Sequence, residues 1–207
     1  ALWVHRRCLE PMFSISNVIA YHNKMVQGID NDHEVGASYW FDVKGNTTDQ
    51  QFVPEHRKCL EAAIQQRVII SREGTVENNE AVNKATSITL DDIYVISPFQ
   101  IVAEKMSHIK KPIGVTEDEF KLWQKNNVGT VHKFQGKEAK AVFFVLGADE
   151  NSTGSITWAT QEPNLLNVAV TRARKEFYVI GDKAAFGNFK NLDVVVKHML
   201  CPVSPVW

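Results

Sequence analysis

The sequence predicts an α/β domain built on a largely parallel β-sheet that is flanked by helices. Strand-like and helix-like segments alternate along the chain, and such alternation requires crossover connections between parallel strands. Residues 141–146 and 177–180 are uninterrupted apolar runs, which is typical of strands buried on both faces of a parallel sheet. A chain of 207 residues with 44% hydrophobic content can also bury one sizeable core. We therefore expect one domain over residues 1–201, with a variable region at 28–90 and a tail at 202–207.

The first ninety residues contain two strand-like and two helix-like segments. The chain opens directly in an apolar, strand-like segment at residues 1–4, without an initiating methionine, as expected of an excised piece of a longer protein. A helix is predicted over residues 10–24, because a proline suits its first turn and apolar residues recur behind it. Residues 38–43 are aromatic-rich and favour a strand. Residues 54–66 follow with a helical apolar pattern, and the polar segment 72–92 is interpreted as a mobile connection.

Four further elements are predicted between residues 93 and 131. One of them carries a specific start signal, since Thr116 is followed three residues later by Glu119, the spacing of a capping box at a helix N-terminus. The others rest on apolar periodicity and β-propensity. The predicted elements are a strand at 93–97, a helix at 101–110, a helix at 116–125 and a short strand at 128–131.

A polar connection separates the strand at 128–131 from the apolar run at 141–146. It reads HKFQGKE and places Gln135, Lys137 and Glu138 on a tight link between two strands. Polar side chains and free backbone N–H groups at such a link can meet a ligand.

Residues 163–174 form a short amphipathic helix that runs into the strand at 177–180. Asn164 is its predicted N-cap. Arg172 and Arg174 lie roughly 160° apart around such a helix, so we expect one arginine to reach outward and the other to brace the fold. The buried stripe is predicted to consist of Leu166, Ala169, Val170 and Ala173, and the polar face of Asn167, Thr171 and Arg174.

Composition and charge exclude several classes of function. A net charge of −1 provides no overall field for a polyanion, so any nucleic-acid contact must depend on local groups. Cys8, Cys59 and Cys201 are odd in number and widely spaced, which excludes a disulfide framework and favours reduced thiols in the cytoplasm. The acidic residues and histidine within 30–34 lack a metal-ligand pattern and are interpreted as a solvated loop. No apolar run is long enough to span a bilayer.

Four segments in order resemble motifs of superfamily 1 helicases, in the branch that includes the RNA helicase of nonsense-mediated decay. VGTVHKFQGKEAKAVFFVLG and PNLLNVAVTRARKEFYVIGD resemble motifs V and VI. LWVHRR at residues 2–7 resembles the strand and arginine of motif IV, and IYVISPFQ at 93–100 resembles the strand and turn that follow it. The resemblance implies the second RecA-like domain of such a helicase.

The resemblance also implies roles for individual residues at a nucleotide site between two RecA-like domains. Arg7 and Arg172 match the catalytic arginines that neutralise charge on the transferred phosphoryl group. The motif IV match leaves open whether Arg6 or Arg7 is the phosphate contact. Glu138 matches an acid that contacts the nucleotide ribose. The cofactor-binding loop is implied to comprise Gln135, Gly136, Lys137 and Glu138.

The nucleic-acid path is implied by two further matches. Thr130 and His132 match positions that line a single strand of DNA or RNA. Ser97, Pro98 and Phe99 match a turn that touches the backbone or a base, and Phe99 has a ring face suited to stacking. A buried aromatic at a strand end is the alternative interpretation of Phe99.

The chain lacks the phosphate-binding half of such a motor. It contains no GxxxxGK[ST] loop and no strand-terminal Asp-Glu pair, so ATP and Mg²⁺ would be held mainly by an N-terminal RecA-like domain of the same parent protein. The isolated chain is therefore expected to be nearly inactive. The alternative is a non-catalytic RecA-like scaffold that binds protein or nucleic acid and keeps its arginines as structural ion-pair partners.

Overall fold

A parallel sheet of five strands forms the centre of the computed structural model, which describes residues 4–28, 36–73, 88–161 and 163–199. Two short parallel strands form a separate sheet near the start of the chain. In chain order the strands are β1 Val4–His5, β2 Val26–Gln27, β3 Ala37–Asp42, β4 Ile93–Ser97, β5 Val128–Thr130, β6 Ala139–Val145 and β7 Ala173–Gly181. The main sheet has the order β3-β7-β6-β4-β5, and every neighbouring pair is parallel.

Aromatic pairs on both faces of the two central strands explain why these runs are apolar throughout. Phe143 of β6 stacks on Tyr178 of β7 with ring centroids 4.8 Å apart. The next residue in β6, Phe144, pairs with Phe177 of β7 at 6.3 Å. Because successive side chains in a strand point to opposite faces, both faces of the sheet are covered. The predicted α/β fold class, with a parallel sheet flanked by helices, is confirmed.

Helices flank this sheet. They are α1 Met12–Tyr21, α2 Pro54–Glu73, α3 Gln100–Ser107, α4 Glu117–Asn127, α5 Thr153–Gln161, α6 Pro163–Arg172, α7 Lys183–Phe186 and α8 Leu192–His198. Helix α1 packs against α6 and α8, whereas α2 packs against α3, and both α1 and α2 contact β7. Helix α4 packs against β4 and β5.

Several predicted bounds are wrong at their ends. The first helix ends at Tyr21, because His22 adopts a left-handed conformation with φ of 52° and stops it. Helix α2 continues seven residues beyond 66, to Glu73. The connection expected at 72–92 therefore starts later, and it closes with a 3₁₀ turn over Leu90–Asp92. The strand predicted at 93–97 coincides with β4, and the capping box of Thr116 and Glu119 is confirmed.

The segment after β5 is not the tight link that the sequence predicts. Thr130 pairs with Ser97 at the carboxyl end of β4, whereas β6 begins beside the amino end of β4. Residues 131–138 must therefore run back along the sheet, and they do so with one 3₁₀ turn, Val131–Phe134, followed by an exposed loop. One end of this segment lies at the carboxyl edge of the sheet and the other at the amino edge.

Some predictions fall outside the described residues. They are the strand start at 1–3, the acidic loop at 30–34, most of the connection at 72–92, Cys201 and the tail at 202–207. Among the described helices, none is both long and apolar enough to cross a membrane.

Candidate functional site

Two arginines and one carboxylate meet at the amino edge of the sheet. Glu138 directly precedes β6, and its Oε1 lies 3.5 Å from Nε of Arg7, while its Oε2 lies 4.0 Å from Nε of Arg174. Leu9 positions the N-terminal segment here, since its N–H donates to the carbonyl of Arg174 at 3.0 Å. The side chains of Arg7 and Arg174 are both more than half exposed. We call Arg7, Glu138, Arg172 and Arg174 the arginine cluster.

Arg172 occupies the buried side of the arginine cluster and is only 5% exposed. Its Nη1 donates to the carbonyls of Phe134 at 3.3 Å and Lys137 at 2.9 Å. Its Nε donates to the carbonyl of Val168 at 3.1 Å, and its Nη2 donates to Oγ1 of Thr171, also at 3.1 Å. These bonds use four of the five N–H donors of a guanidinium. Arg172 therefore fastens the segment 131–138 to the end of α6.

The helix that delivers Arg172 differs from its prediction at both ends. It begins at Pro163, which places Asn164 inside the first turn rather than at the N-cap, because a proline at the first helical position needs no hydrogen-bonded N–H. It ends at Arg172, so Arg174 belongs to β7 and not to the helix. We expected one of the two arginines to reach outward and the other to brace the fold, and this is what the structure shows. Arg174 is exposed, whereas Arg172 is buried and bonds to the segment 131–138.

Charge is unbalanced within the arginine cluster. Burial lowers the pKa of Arg172, Arg7 lowers it further by repulsion, and Glu138 opposes the shift. The pKa of the buried His5 is also lowered, first by burial and then by Arg7, which favours its neutral form. The arginine cluster thus contains three guanidiniums and one carboxylate, a surplus of two formal positive charges, and the carboxylate pairs with the guanidiniums of Arg7 and Arg174. An anionic ligand would relieve this surplus.

The exposed loop beside the arginine cluster contains the predicted residues Gln135, Gly136 and Lys137. Gly136 adopts φ of 84°, a left-handed conformation that a residue with a Cβ rarely adopts. The N–H of Lys137 donates to the carbonyl of Phe134 at 3.0 Å and closes the turn. This loop shows its polar side chains to solvent next to the surplus charge.

A second site lies at the carboxyl edge of the sheet, where four predicted nucleic-acid residues line one open groove of about 390 Å³. They are Pro98, Phe99, Thr130 and His132. The fifth, Ser97, is 0% exposed, and its Oγ accepts a hydrogen bond from the N–H of Phe99 at 3.2 Å, so Ser97 shapes the turn from inside.

Sequence reasoning missed the rest of the groove. Trp158 of α5 is 61% exposed and lies beside Phe99, with ring centroids 6.1 Å apart. Phe99 itself is only 8% exposed, so the accessible ring is that of Trp158. A signal for this was present, because Ile156, Ala159 and Thr160 form the buried face of α5 and Trp158 lies opposite them. The remaining lining residues are Gln50, Gln51, Gln100 and Ile101.

Two residues of the predicted polar face of α6 have structural partners. Oδ1 of Asn167 accepts a hydrogen bond from Oγ of Ser16 at 2.7 Å, and Oγ1 of Thr171 donates to the carbonyl of Asn167 at 2.8 Å. The first bond holds α6 against α1, and the second lies within α6, one residue before Arg172. In the portion of the chain that the structure describes, no cluster of three His, Cys, Asp or Glu side chains could hold a metal ion.

Comparison with known proteins gives three results. A family model described as an AAA domain, AAA_12, matches residues 2–184. The DNA polymerase alpha-associated DNA helicase A of Saccharomyces cerevisiae is 29% identical over 143 residues, which are 69% of this chain but 19% of that protein. The C-terminal domain of a possible DNA helicase from Lactobacillus plantarum WCFS1 aligns over 95% of this chain and 94% of its own, with a TM-score of 0.44 and 11% identity.

Proposed function

Because this chain belongs to the AAA_12 family of AAA domains, the helicase C-terminal domain, we propose that it is the second motor domain of an ATP-dependent helicase or translocase. This membership supports the resemblance to superfamily 1 helicases. The chain spans about a fifth of the length of its yeast relative, so the activity of the whole protein is part of the proposal. That relative is named as a DNA helicase, and single-stranded DNA is accordingly the first strand to test.

The single observation that carries the proposal is the surplus positive charge at the amino edge of the sheet. Arg7 and Arg174 share one carboxylate and keep more than half of their side-chain surface exposed. A guanidinium stays charged and can bridge two phosphate oxygens with its planar fork. A second RecA-like domain needs such a group to reach a nucleotide that its partner domain holds.

The chemistry divides among the predicted residues according to their exposure. Arg7 faces Glu138 and is free to turn toward a phosphoryl group, which favours Arg7 over Arg6 as the phosphate contact. Arg172 keeps one N–H donor beyond its four bonds, and it holds the loop against which a nucleotide would lie. Glu138, released from Arg7, would accept a hydrogen bond from a ribose hydroxyl.

ATP and its Mg²⁺ fit this division of labour between two domains. The arginine cluster and the loop of Gln135, Gly136 and Lys137 suit the anionic and sugar parts of the nucleotide. Bound Mg²⁺ would neutralise the phosphate oxygens and orient the chain of phosphates. We propose that the partner domain supplies the carboxylates for this ion.

The nucleic-acid path is proposed to cross the carboxyl edge through the groove of Pro98, Phe99, Thr130 and His132. The segment 131–138 begins in this groove and ends at Glu138. A structural change at the amino edge, where the nucleotide would bind, would be transmitted to the groove at the carboxyl edge through these eight residues. Arg172 anchors the segment at Phe134 and Lys137.

A reconstitution experiment tests the proposed function. ATP hydrolysis is measured for this chain alone, for the upstream RecA-like half alone, and for the two halves on one polypeptide, each with and without single-stranded DNA. We expect robust turnover only from the joined halves, and stimulation of that turnover by DNA. Robust turnover by this chain alone, or joined halves that hydrolyse no ATP, would contradict the proposal.

A further inference from the structure

We propose that Trp158 is a base-stacking residue of the groove, and that this groove holds an unpaired base of single-stranded nucleic acid rather than its phosphates. The inference rests on the proposed function, because it specifies how the strand is gripped. Trp158 is 61% exposed, although indole rings are usually kept largely out of water. An exposed indole at the rim of a groove is a surface on which a base can stack at little cost in order, since the ring has only two rotatable bonds.

The setting of Trp158 favours a flat, apolar ligand. Phe99 packs beside it with an interplanar angle of 31°, and Phe99 is itself buried, so it restrains the indole from behind. A face restrained in this way loses little further freedom when a base covers it. Helix α5 carries Trp158 on the side opposite its buried residues, which accounts for the large exposure of this side chain.

The rim of the groove supplies hydrogen-bonding groups without formal charge. Gln50, Gln51 and Gln100 line it together with Thr130 and His132, and no Lys, Arg, Asp or Glu is among its lining residues within the described chain. An amide offers both a donor and an acceptor, which match the edges of a base. A phosphate would gain most from the positive charge of lysine or arginine, which this lining lacks.

The amide rim is held in place by bonds that do not depend on a ligand. The carbonyl of Gln51 accepts a hydrogen bond from the N–H of Ala148 at 2.6 Å. Oδ2 of Asp149 accepts from both the N–H and Oγ1 of Thr47 at 2.9 and 2.8 Å. The side chain of Gln51 donates to Oγ of Ser155 at 3.2 Å, which ties this loop to the start of α5.

The test compares two strands and four proteins. Binding of this chain to oligothymidylate, and to a strand of equal length with abasic sugars in place of the nucleotides, is followed by fluorescence anisotropy over a series of salt concentrations. We expect Trp158→Ala to weaken binding to oligothymidylate by about 5- to 150-fold. Trp158→Phe should retain most of the affinity, and Trp158→Ala should not alter binding to the abasic strand.

The salt dependence separates a base contact from a phosphate contact. Because stacking releases no counterions, the slope of log affinity against log salt should be the same for Trp158→Ala and the parent chain. Leu122→Ala is the matched control, since Leu122 is 57% exposed on α4 and does not line the groove. A urea unfolding curve for each variant verifies the fold.

Indole fluorescence gives a second readout. Trp40 and Trp123 are buried and donate their Nε1–H groups to backbone carbonyls, so neither can meet a base. In a chain with Trp3→Phe and Trp207→Phe, oligothymidylate should quench the emission of Trp158, and the abasic strand should not.

The outcomes distinguish the inference from the proposed function. If the parent chain binds oligothymidylate and Trp158→Ala binds it equally well, or loses affinity equally for the abasic strand, the base-stacking role is overturned while the strand path stands. If the parent chain binds neither strand, both the strand path and the stacking role are overturned.

Discussion

Arg172 matches a catalytic arginine by sequence resemblance, and in the structure its guanidinium holds the segment 131–138 against helix α6. Its position after a helical stripe predicts a fixed positive charge at a domain edge. The structure gives four of its N–H donors to Phe134, Lys137, Val168 and Thr171. No spacing rule could predict the bonds to Phe134 and Lys137, because the path of the segment 131–138 brings these two carbonyls near Arg172.

Removing the guanidinium should therefore destabilise the domain. Arg172→Ala takes from the carbonyl of Lys137 its bond to the guanidinium and leaves the carbonyl of Phe134 with the N–H of Lys137 as its donor, and we expect the free energy of unfolding to fall by about 2–4 kcal/mol. Arg174→Ala is the matched control, since its exposed side chain makes a long ion pair with Glu138, and it should change stability by less than about 0.5 kcal/mol. Urea unfolding measures both, and equal losses in the two variants would refute the bracing role.

Asp149 is a second residue whose role the sequence does not reveal. Its carboxylate accepts hydrogen bonds from the N–H and Oγ1 of Thr47, from the N–H of Asn151 and from Oγ of Ser152. These bonds, led by the one from the N–H of Thr47, lower its pKa from 3.8 to about 2. The carboxylate fixes the loop that carries Gln50 and Gln51 of the groove.

The lowered pKa of Asp149 predicts a loss of stability in acid. A carboxyl group whose pKa is depressed by folding stabilises the fold above its unfolded pKa, and that contribution disappears as the pH falls from about 4 toward about 2. Asp149→Asn cannot accept all four bonds, so it should be less stable by about 1–2 kcal/mol at neutral pH. Urea midpoints across this pH range should converge for the two proteins. A constant difference down to pH 2 would contradict the assignment.

At the scale of elements, the strongest local signals predict best. Continuous apolar runs identify β6 and β7, and a strand with helical neighbours identifies β4. Helix α5 escapes prediction because its sequence TGSITWATQ is rich in glycine, serine and threonine, which are poor helix formers, and packing of Ile156 and Ala159 decides its structure. Strand β2 escapes because two residues carry no periodicity, and only pairing with β1 defines it.

Helix α4 offers a direct test of a local signal. Oγ1 of Thr116 accepts a hydrogen bond from the N–H of Glu119 at 3.3 Å, and the Glu119 carboxylate accepts from the N–H of Thr116 at 2.9 Å. Thr116→Ala should cost about 1 kcal/mol of unfolding free energy, because the first turn loses its cap. Lys121→Ala, an exposed change within the same helix, serves as the control in the same urea titration. A capping variant as stable as this control would show that tertiary packing alone holds α4.

At the scale of the whole molecule, two sites lie at opposite edges of one parallel sheet. The arginine cluster is at the amino edge, the groove of Trp158 is at the carboxyl edge, and the segment 131–138 connects them. Through motif resemblance the sequence predicts Arg7, Arg172 and Glu138 at the first site and part of the lining of the second, but it misses Trp158 and the glutamines of the groove. It does not predict the separation of the two sites, because strand order and the direction of the connecting segment depend on contacts between residues far apart in the chain.

The net charge of −1 means that this chain can attract an anion only where positive side chains are locally in excess. Without an overall positive field, attraction of an anion must come from local surplus, and Arg7, Arg172 and Arg174 around Glu138 supply one. The groove at the other edge has an uncharged lining. We therefore expect the two edges to recognise different parts of their ligands, phosphate at one and base at the other.

The most direct measurement of this account is the kcat of ATP hydrolysis by the joined halves with Arg7→Ala. Arg7 is exposed, so its removal tests chemistry with little effect on folding. We predict that kcat falls by about three to five orders of magnitude, whereas Arg57→Ala on α2, outside the arginine cluster, leaves it near the parental value. An Arg7→Ala protein that keeps the parental kcat would contradict the claim that this edge of the sheet completes a nucleotide site.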